Sequence, residues 1–220
     1  MDATVPVAGV TNVGPDAVAI DFETPEEFEA RPGQFVKLTF EVDGQDQSRF
    51  YTVSSPDVSE SFEITVEIDP DGEVGPLLAD LAVGDEVAIS GPFGNAYYEG
   101  EQRVLVIAGG PGIGPAVGIA ERIVEDGGNA AVVYRDEEPI HVDRLNGLRD
   151  AGVTVSILGD DESLKGAVES ADRALDAADA TTVSDTQVFV YGFADFLDDA
   201  TAALSAIGAD PQAAKVENFG

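Results

Sequence analysis

The chain has 220 residues, 44% of them apolar, enough for a substantial buried core and too many for a chain that stays unfolded. Its 11 Lys and Arg stand against 43 Asp and Glu, and the net charge of −32 repels phosphate backbones and anionic membranes, so nucleic acid is not an expected partner. There is no cysteine, which excludes disulfides, thiolate nucleophiles and Cys-held zinc or iron–sulfur clusters from this polypeptide, so any redox chemistry needs a bound organic cofactor.

Met1 to Val13 contains no basic stretch, and no apolar run reaches the length of a bilayer crossing, so the expectation is a soluble, cytoplasmic protein with no membrane insertion. The acids are spread along the whole chain. Molar salt shortens the Debye length to about 3 Å and screens such a surface, so a salt-adapted protein is expected.

To about residue 100, short β-type runs alternate with turn signals: Val18 to Phe22, Phe35 to Phe40, Phe50 to Val53, Phe62 to Ile68 and Glu86 to Ile89. This spacing predicts an antiparallel barrel or sandwich. One helix is predicted within it, Leu77 to Leu81, opened by Gly75-Pro76. The turn-rich Gly91-Pro92-Phe93-Gly94-Asn95 suits a domain boundary, which gives domains over 1–100 and 101–220.

Beyond it, Val104 to Ile107 is a continuous apolar strand, followed by a Gly-rich turn and a helix from Ala116 to Glu125. Strands at Ala131 to Tyr134, Val153 to Leu158 and Val188 to Tyr191 alternate with helices at Leu145 to Asp150 and Asp195 to Ile207. That rhythm predicts a parallel, doubly wound α/β sheet. Ser170 to Asp185 reads as a helix followed by a solvated loop.

Three segments carry candidate chemistry. Gly109-Gly110-Pro111-Gly112-Ile113-Gly114-Pro115 lies between strand and helix, where backbone N–H groups and the helix dipole receive phosphate; the same glycines also serve tight strand–helix packing with no ligand. In Arg49-Phe50-Tyr51-Thr52, period-two alternation puts Arg49 and Tyr51 on one face, suited to a pyrophosphate joined to a planar ring. Phe50 and Thr52 fall on the other face, so Thr52 must act through a bend or its backbone. An ordinary half-buried strand is the alternative. Asp71 to Leu78 leads into the short helix, with free N–H groups at its start for a second phosphate contact or for nothing more than a well-made helix start.

Taken in order, Pro32-Gly33-Gln34, Arg49-Phe50-Tyr51-Thr52, Gly91-Pro92-Phe93-Gly94, Gly110 to Pro115 and Glu217-Asn218-Phe219 resemble the ferredoxin–NADP reductase superfamily across nearly the whole chain. The resemblance implies a flavin barrel followed by a nicotinamide-nucleotide domain. It implies that the strand Arg49-Phe50-Tyr51-Thr52 holds FAD, with Arg49 on the pyrophosphate, Tyr51 against the flavin and Thr52 near its reactive nitrogen. Thr65, Val66, Glu67 and Ile68 would line the ribityl and flavin edge, and Glu73, Val74 and Gly75 the phosphates. Gly110, Pro111, Gly112, Ile113 and Gly114 would receive NAD(P)H, together with Arg135 and Gly192, while Phe219 would cover the flavin. Hydride would pass from NAD(P)H to FAD and electrons onward to a ferredoxin-like protein or a small acceptor.

The chain departs from the family pattern at Gly75, where a Ser or Thr is usual, at Pro111, where a Thr is common, and at Tyr191-Gly192-Phe193, where the family has Cys-Gly-Pro. The last favours an FAD-carrying electron-transfer subunit that uses the dinucleotide poorly, and a non-catalytic nucleotide-binding module is the third reading. In Tyr134-Arg135-Asp136-Glu137-Glu138, Arg135 suits a 2′-phosphate and the acids suit ribose hydroxyls, so NAD and NADP stay balanced. His141, the sole histidine, reads as a surface or helix-entry residue, and Asp160-Asp161-Glu162 as a solvated helix start, so no metal is assigned.

Overall fold

The computed structural model describes residues 1–178 and 186–220. Its first half holds β1 (Asp2–Gly14), β2 (Ala17–Glu23), β3 (Phe35–Val42), β4 (Gln45–Thr52), β5 (Ser61–Glu67), the short α1 (Gly75–Ala79) and β6 (Glu86–Phe93). These strands form one six-stranded sheet in the order β4-β3-β6-β1-β2-β5, antiparallel throughout. The two edge strands meet, and a bridge from Val53 to Ile64 closes the sheet into a barrel. Inward residues Val36, Leu38, Ile64 and Val66 alternate with outward ones, and Phe22, Phe28 and Phe62 pack ring to ring at 4.9–5.4 Å in the interior.

The second half holds β7 (Arg103–Gly109), α2 (Ile113–Glu125), β8 (Asn129–Arg135), α3 (Val142–Asp150), β9 (Thr154–Leu158), α4 (Leu164–Ala178), β10 (Gln187–Gly192), α5 (Ala194–Ile207) and β11 (Lys215–Asn218). The sheet order is β11-β10-β7-β8-β9, every pair parallel. Every residue of β7 is buried. Val104 and Val106 face a layer with Ile113 and Val117, while Leu105 and Ile107 face one with Val168 and Leu204, which is why this strand reads as an unbroken apolar run.

Several boundaries differ from the sequence expectation. β1 and β11 were not expected as strands. β6 runs on through Phe93, so the Gly91 to Asn95 stretch belongs mostly to the barrel and the crossing to the second sheet starts at Gly94. The helix expected from Ser170 reaches Ala178 as part of α4, and residues 179–185 lie outside the described residues.

The two halves are joined by a polar seam. Arg144 on α3 donates to Glu63 of β5 at 2.7 Å, to the Ser54 carbonyl at 2.7 Å and to both carboxylate oxygens of Glu121 on α2 at 2.9 and 2.6 Å. His141 corrects the surface reading: it is 3% exposed, caps α3 in a left-handed conformation at φ 55°, and its Nε2 lies 2.8 Å from the Thr65 hydroxyl. Tyr191 of β10 donates its hydroxyl to the Ala96 carbonyl.

Candidate functional site

A cleft of about 290 Å³ opens between barrel and α/β layer, lined from the barrel by Phe50, Tyr51, Thr52, Thr65 and Glu67 to Asp69, and from the other side by Pro111, Pro115, Phe193 and Phe219. A second cleft of about 320 Å³ shares Phe50, Thr52 and Phe219 with it and adds Phe35 and Glu217.

β4 positions the first group. Arg49 and Tyr51 pair with Leu38 and Val36, and Phe50 and Thr52 with Lys37 and Phe35, so the expected alternation holds along the whole strand. Phe50 is 62% exposed and meets Phe35 edge-on at 5.6 Å. Thr52 is buried and still lines both clefts, because β4 ends there and its flank is open to the gap between the two sheets. Burial pushes the Tyr51 phenol up to about 12, against the pull of nearby Arg49, so the ring meets the cleft as a neutral phenol.

Arg49 lies 3.9 Å from Glu73, with both side chains largely in water, so this guanidinium is free to exchange partners at little cost. Val74 has its side chain in the barrel core, leaving only its backbone for a ligand. At Gly75 a Cβ would collide with the Asp69 carbonyl, because the Asp69 turn closes onto that backbone. Val66 and Ile113 point into the cores.

In the Gly-rich turn, the packing reading holds for two glycines. A Cβ on Gly112 would strike the Tyr191 carbonyl, and one on Gly114 would come within 2.5 Å of the Thr65 hydroxyl. Both are spent on close packing, Gly114 on the seam to the barrel. Gly110, at φ 55° with open space around it, and Pro111 are the turn residues that face outward. The turn sits at the topological switch point, where the chain leaves β7 for β8 on one side and returns to β10 on the other, the place where open α/β sheets take ligands.

Phe219 closes the cleft from the opposite side. Its N–H donates to the Gly192 carbonyl at 3.1 Å, and its ring meets Phe193 edge-on at 6.2 Å and Tyr191 at 6.5 Å. Gly192 holds this corner together by letting Phe196 pack against it. Phe193, noted in the sequence only as a departure, lines the cleft and is 49% exposed. Glu217, whose carboxyl burial holds above the usual range, was also missed; neither has a sequence signal apart from its nearness to Gly192 and Phe219. Arg135 does not face the cleft: it pairs with Asp199 on α5 at 2.9 Å and stacks over Phe196 at 5.1 Å.

The site is thus an aromatic slot with the switch-point turn on one side; the exposed Arg49, two residues before Tyr51 on β4, stands outside the lining of both clefts. The donor set fits FAD: rings of Tyr51 and Phe219 from opposite sides for a planar system, and an exposed guanidinium for a pyrophosphate. Residues 4–98 match the family model described as the oxidoreductase FAD-binding domain. The chain is 39% identical over 116 residues to the glycine betaine monooxygenase reductase subunit of Pseudomonas aeruginosa, covering 51% of this chain and 32% of that protein. It is 35% identical over 121 residues to the toluate 1,2-dioxygenase electron transfer component of Pseudomonas putida, covering 52% and 35%. The chain therefore spans about a third of the length of these relatives.

Among solved structures, the FAD/NAD-binding domain of nitric oxide dioxygenase from Vibrio cholerae superposes with a TM-score of 0.80 at 20% identity, covering 99% of this chain and 98% of that one. The ferredoxin NADP+ reductase from Neisseria gonorrhoeae with bound FAD and NADP gives 0.78 at 17% identity, covering 100% and 99%. The chain has the ferredoxin–NADP reductase-like fold. More particularly, it is residues 4–98, the barrel, that carry the match to the oxidoreductase FAD-binding domain.

Proposed function

We propose that this chain is an FAD-dependent NAD(P)H oxidoreductase, a reductase unit that takes hydride from a nicotinamide dinucleotide and passes electrons to a ferredoxin-like protein or a small acceptor. Residues 1–100 hold the flavin and 101–220 the dinucleotide. The observation that carries the reading is the cleft in which Tyr51 and Thr52 of the barrel face Phe193 and Phe219 of the α/β layer across one slot. The chain's similarity to a reductase subunit and to an electron transfer component supports the onward transfer of electrons.

FAD, when bound, supplies the hydride-accepting and single-electron chemistry. The chain would bind and orient it: Arg49 would hold the pyrophosphate, Tyr51 and Phe219 the ring, and the Thr52 hydroxyl would serve as a hydrogen-bonding partner. Pro111, Pro115 and Phe193 wall the dinucleotide side and exclude water, and hydride transfer between stacked rings asks little more of a protein. Among the described residues no helix is long and apolar enough to cross a membrane. A salt-rich cytoplasm is the proposed setting, supported by the evenly spread acid excess.

The test is purification in high salt followed by anaerobic addition of NADH or NADPH. A yellow protein that bleaches is the expected result. Yellow without bleaching establishes the second reading, an FAD-carrying electron-transfer subunit, which the bulky Phe193 at the nicotinamide corner favours; a colourless protein that takes up no FAD overturns both.

A further inference from the structure

We propose that the dinucleotide end of this site is built for NADH and excludes NADPH; the inference rests on the reductase reading above. A dinucleotide seated at the β7–β10 switch point extends its adenosine ribose toward the carboxyl ends of the strands beyond β7, which here are β8 and β9. Those two ends carry Asp136, Glu137 and Glu138, and Asp160, Asp161 and Glu162.

A 2′-phosphate needs hydrogen-bond donors, and four of those at these turns are already held by the chain's own carboxylates. The Arg135 guanidinium is bound to Asp199 at 2.9 Å and stacked on Phe196, with 17% of its side chain exposed. The Gly159 N–H donates to Glu162 at 2.9 Å, the Asp160 N–H to Glu137 at 2.7 Å and the Glu138 N–H to Asp136 at 2.9 Å. Lys165, at the start of α4, follows Asp160, Asp161 and Glu162 in the chain, so the cation nearest in sequence to the β9 turn comes with three negative charges. A dianionic phosphate would have to displace carboxylates and then sit among them. Ribose hydroxyls, which donate, meet a surface of acceptors instead.

Like charges crowd at this edge even without a ligand: the Glu67 carboxyl is held above its usual range by burial, then by Asp136 and Asp16. Coulomb repulsion fades in salt, but occupied donors stay occupied, so the preference persists at high ionic strength.

The experiment compares anaerobic reduction of the FAD-loaded protein by NADH and NADPH at low and high KCl, alongside calorimetric binding of 5′-AMP and adenosine 2′,5′-bisphosphate. NADH reduction at a KM at least tenfold below that for NADPH, with AMP the tighter ligand, is expected. Equal or better use of NADPH, or tighter bisphosphate binding, overturns the inference and leaves the reductase reading standing. Reduction by neither dinucleotide, with neither nucleotide bound, overturns both. Neutralising the exposed pair with Asp160→Asn and Asp161→Asn is expected to narrow the NADH to NADPH ratio by about five- to tenfold, and an unchanged ratio in a folded variant counts against the inference.

Discussion

Thr65 and His141 meet across the seam between barrel and α/β layer, hydroxyl to imidazole nitrogen at 2.8 Å, although 76 residues separate them in the chain. Burial, aided by Arg144, pulls the imidazole down to about 3 from its ordinary 6.5. Between those values the unfolded chain takes up a proton that the folded protein refuses, so stability is lost as the pH drops through that window, by about 1.4 kcal/mol per unit. Asp21, Glu67 and Glu217, whose carboxyls are held high by burial, act in the opposite sense. The contribution of His141 is therefore isolated by variant: His141→Gln should flatten the acid limb of a denaturant-stability profile by close to one proton. An unchanged slope would place the imidazole in water.

Arg144 is the second prediction. Replacing it by Met strands Glu63 and Glu121 without their shared cation and leaves the Ser54 carbonyl without a donor. These side chains keep 18–25% of their surface in water, so a loss of about 2–3 kcal/mol is expected, short of the full cost of breaking a buried pair from one side. Urea unfolding at fixed high salt measures it, and a loss below about 1 kcal/mol would class the network as a surface one.

Arg49 tests the flavin grip separately from folding. Its pair with Glu73 is long and exposed, so Arg49→Ala should change apoprotein stability by less than about 1 kcal/mol. FAD affinity, followed by flavin fluorescence, should fall about 10- to 100-fold as a charge-assisted phosphate contact is removed. Undiminished affinity would move the pyrophosphate elsewhere.

The charge makes the fourth prediction. Among the described residues seven of the eleven Lys and Arg are already in ion pairs with carboxylates, against 43 acids in the sequence. Added KCl screens the remaining self-repulsion, so the melting temperature should climb by several degrees between dilute and molar salt. A steady decline would mean that the attractive pairs outweigh the repulsion.

Much of this was legible in sequence because it is periodic or punctuated. The unbroken run of β7 announced a strand buried on both faces, and the alternation in Arg49-Phe50-Tyr51-Thr52 announced the end of β4. β1 escaped notice because Pro6, Gly9 and Asn12 interrupt its pattern, although Val5 and Val7 are buried in the barrel. β11 is only four residues long and acquires its role by adding to β10. The seam was out of reach for a different reason: Arg144, Glu63 and Glu121 are ordinary charges until the fold brings them together. Arg135 reads in sequence as available for phosphate, but Asp199, 64 residues away, holds it.

The closed turn at Asp69 has one more effect. Because its carbonyl fills the room that a side chain at Gly75 would need, a serine there could not be seated without moving that backbone. The turn and the start of α1 are thereby locked together through a residue without a side chain, and a substitution there would be felt first at Glu73, two positions earlier, and at its pair with Arg49.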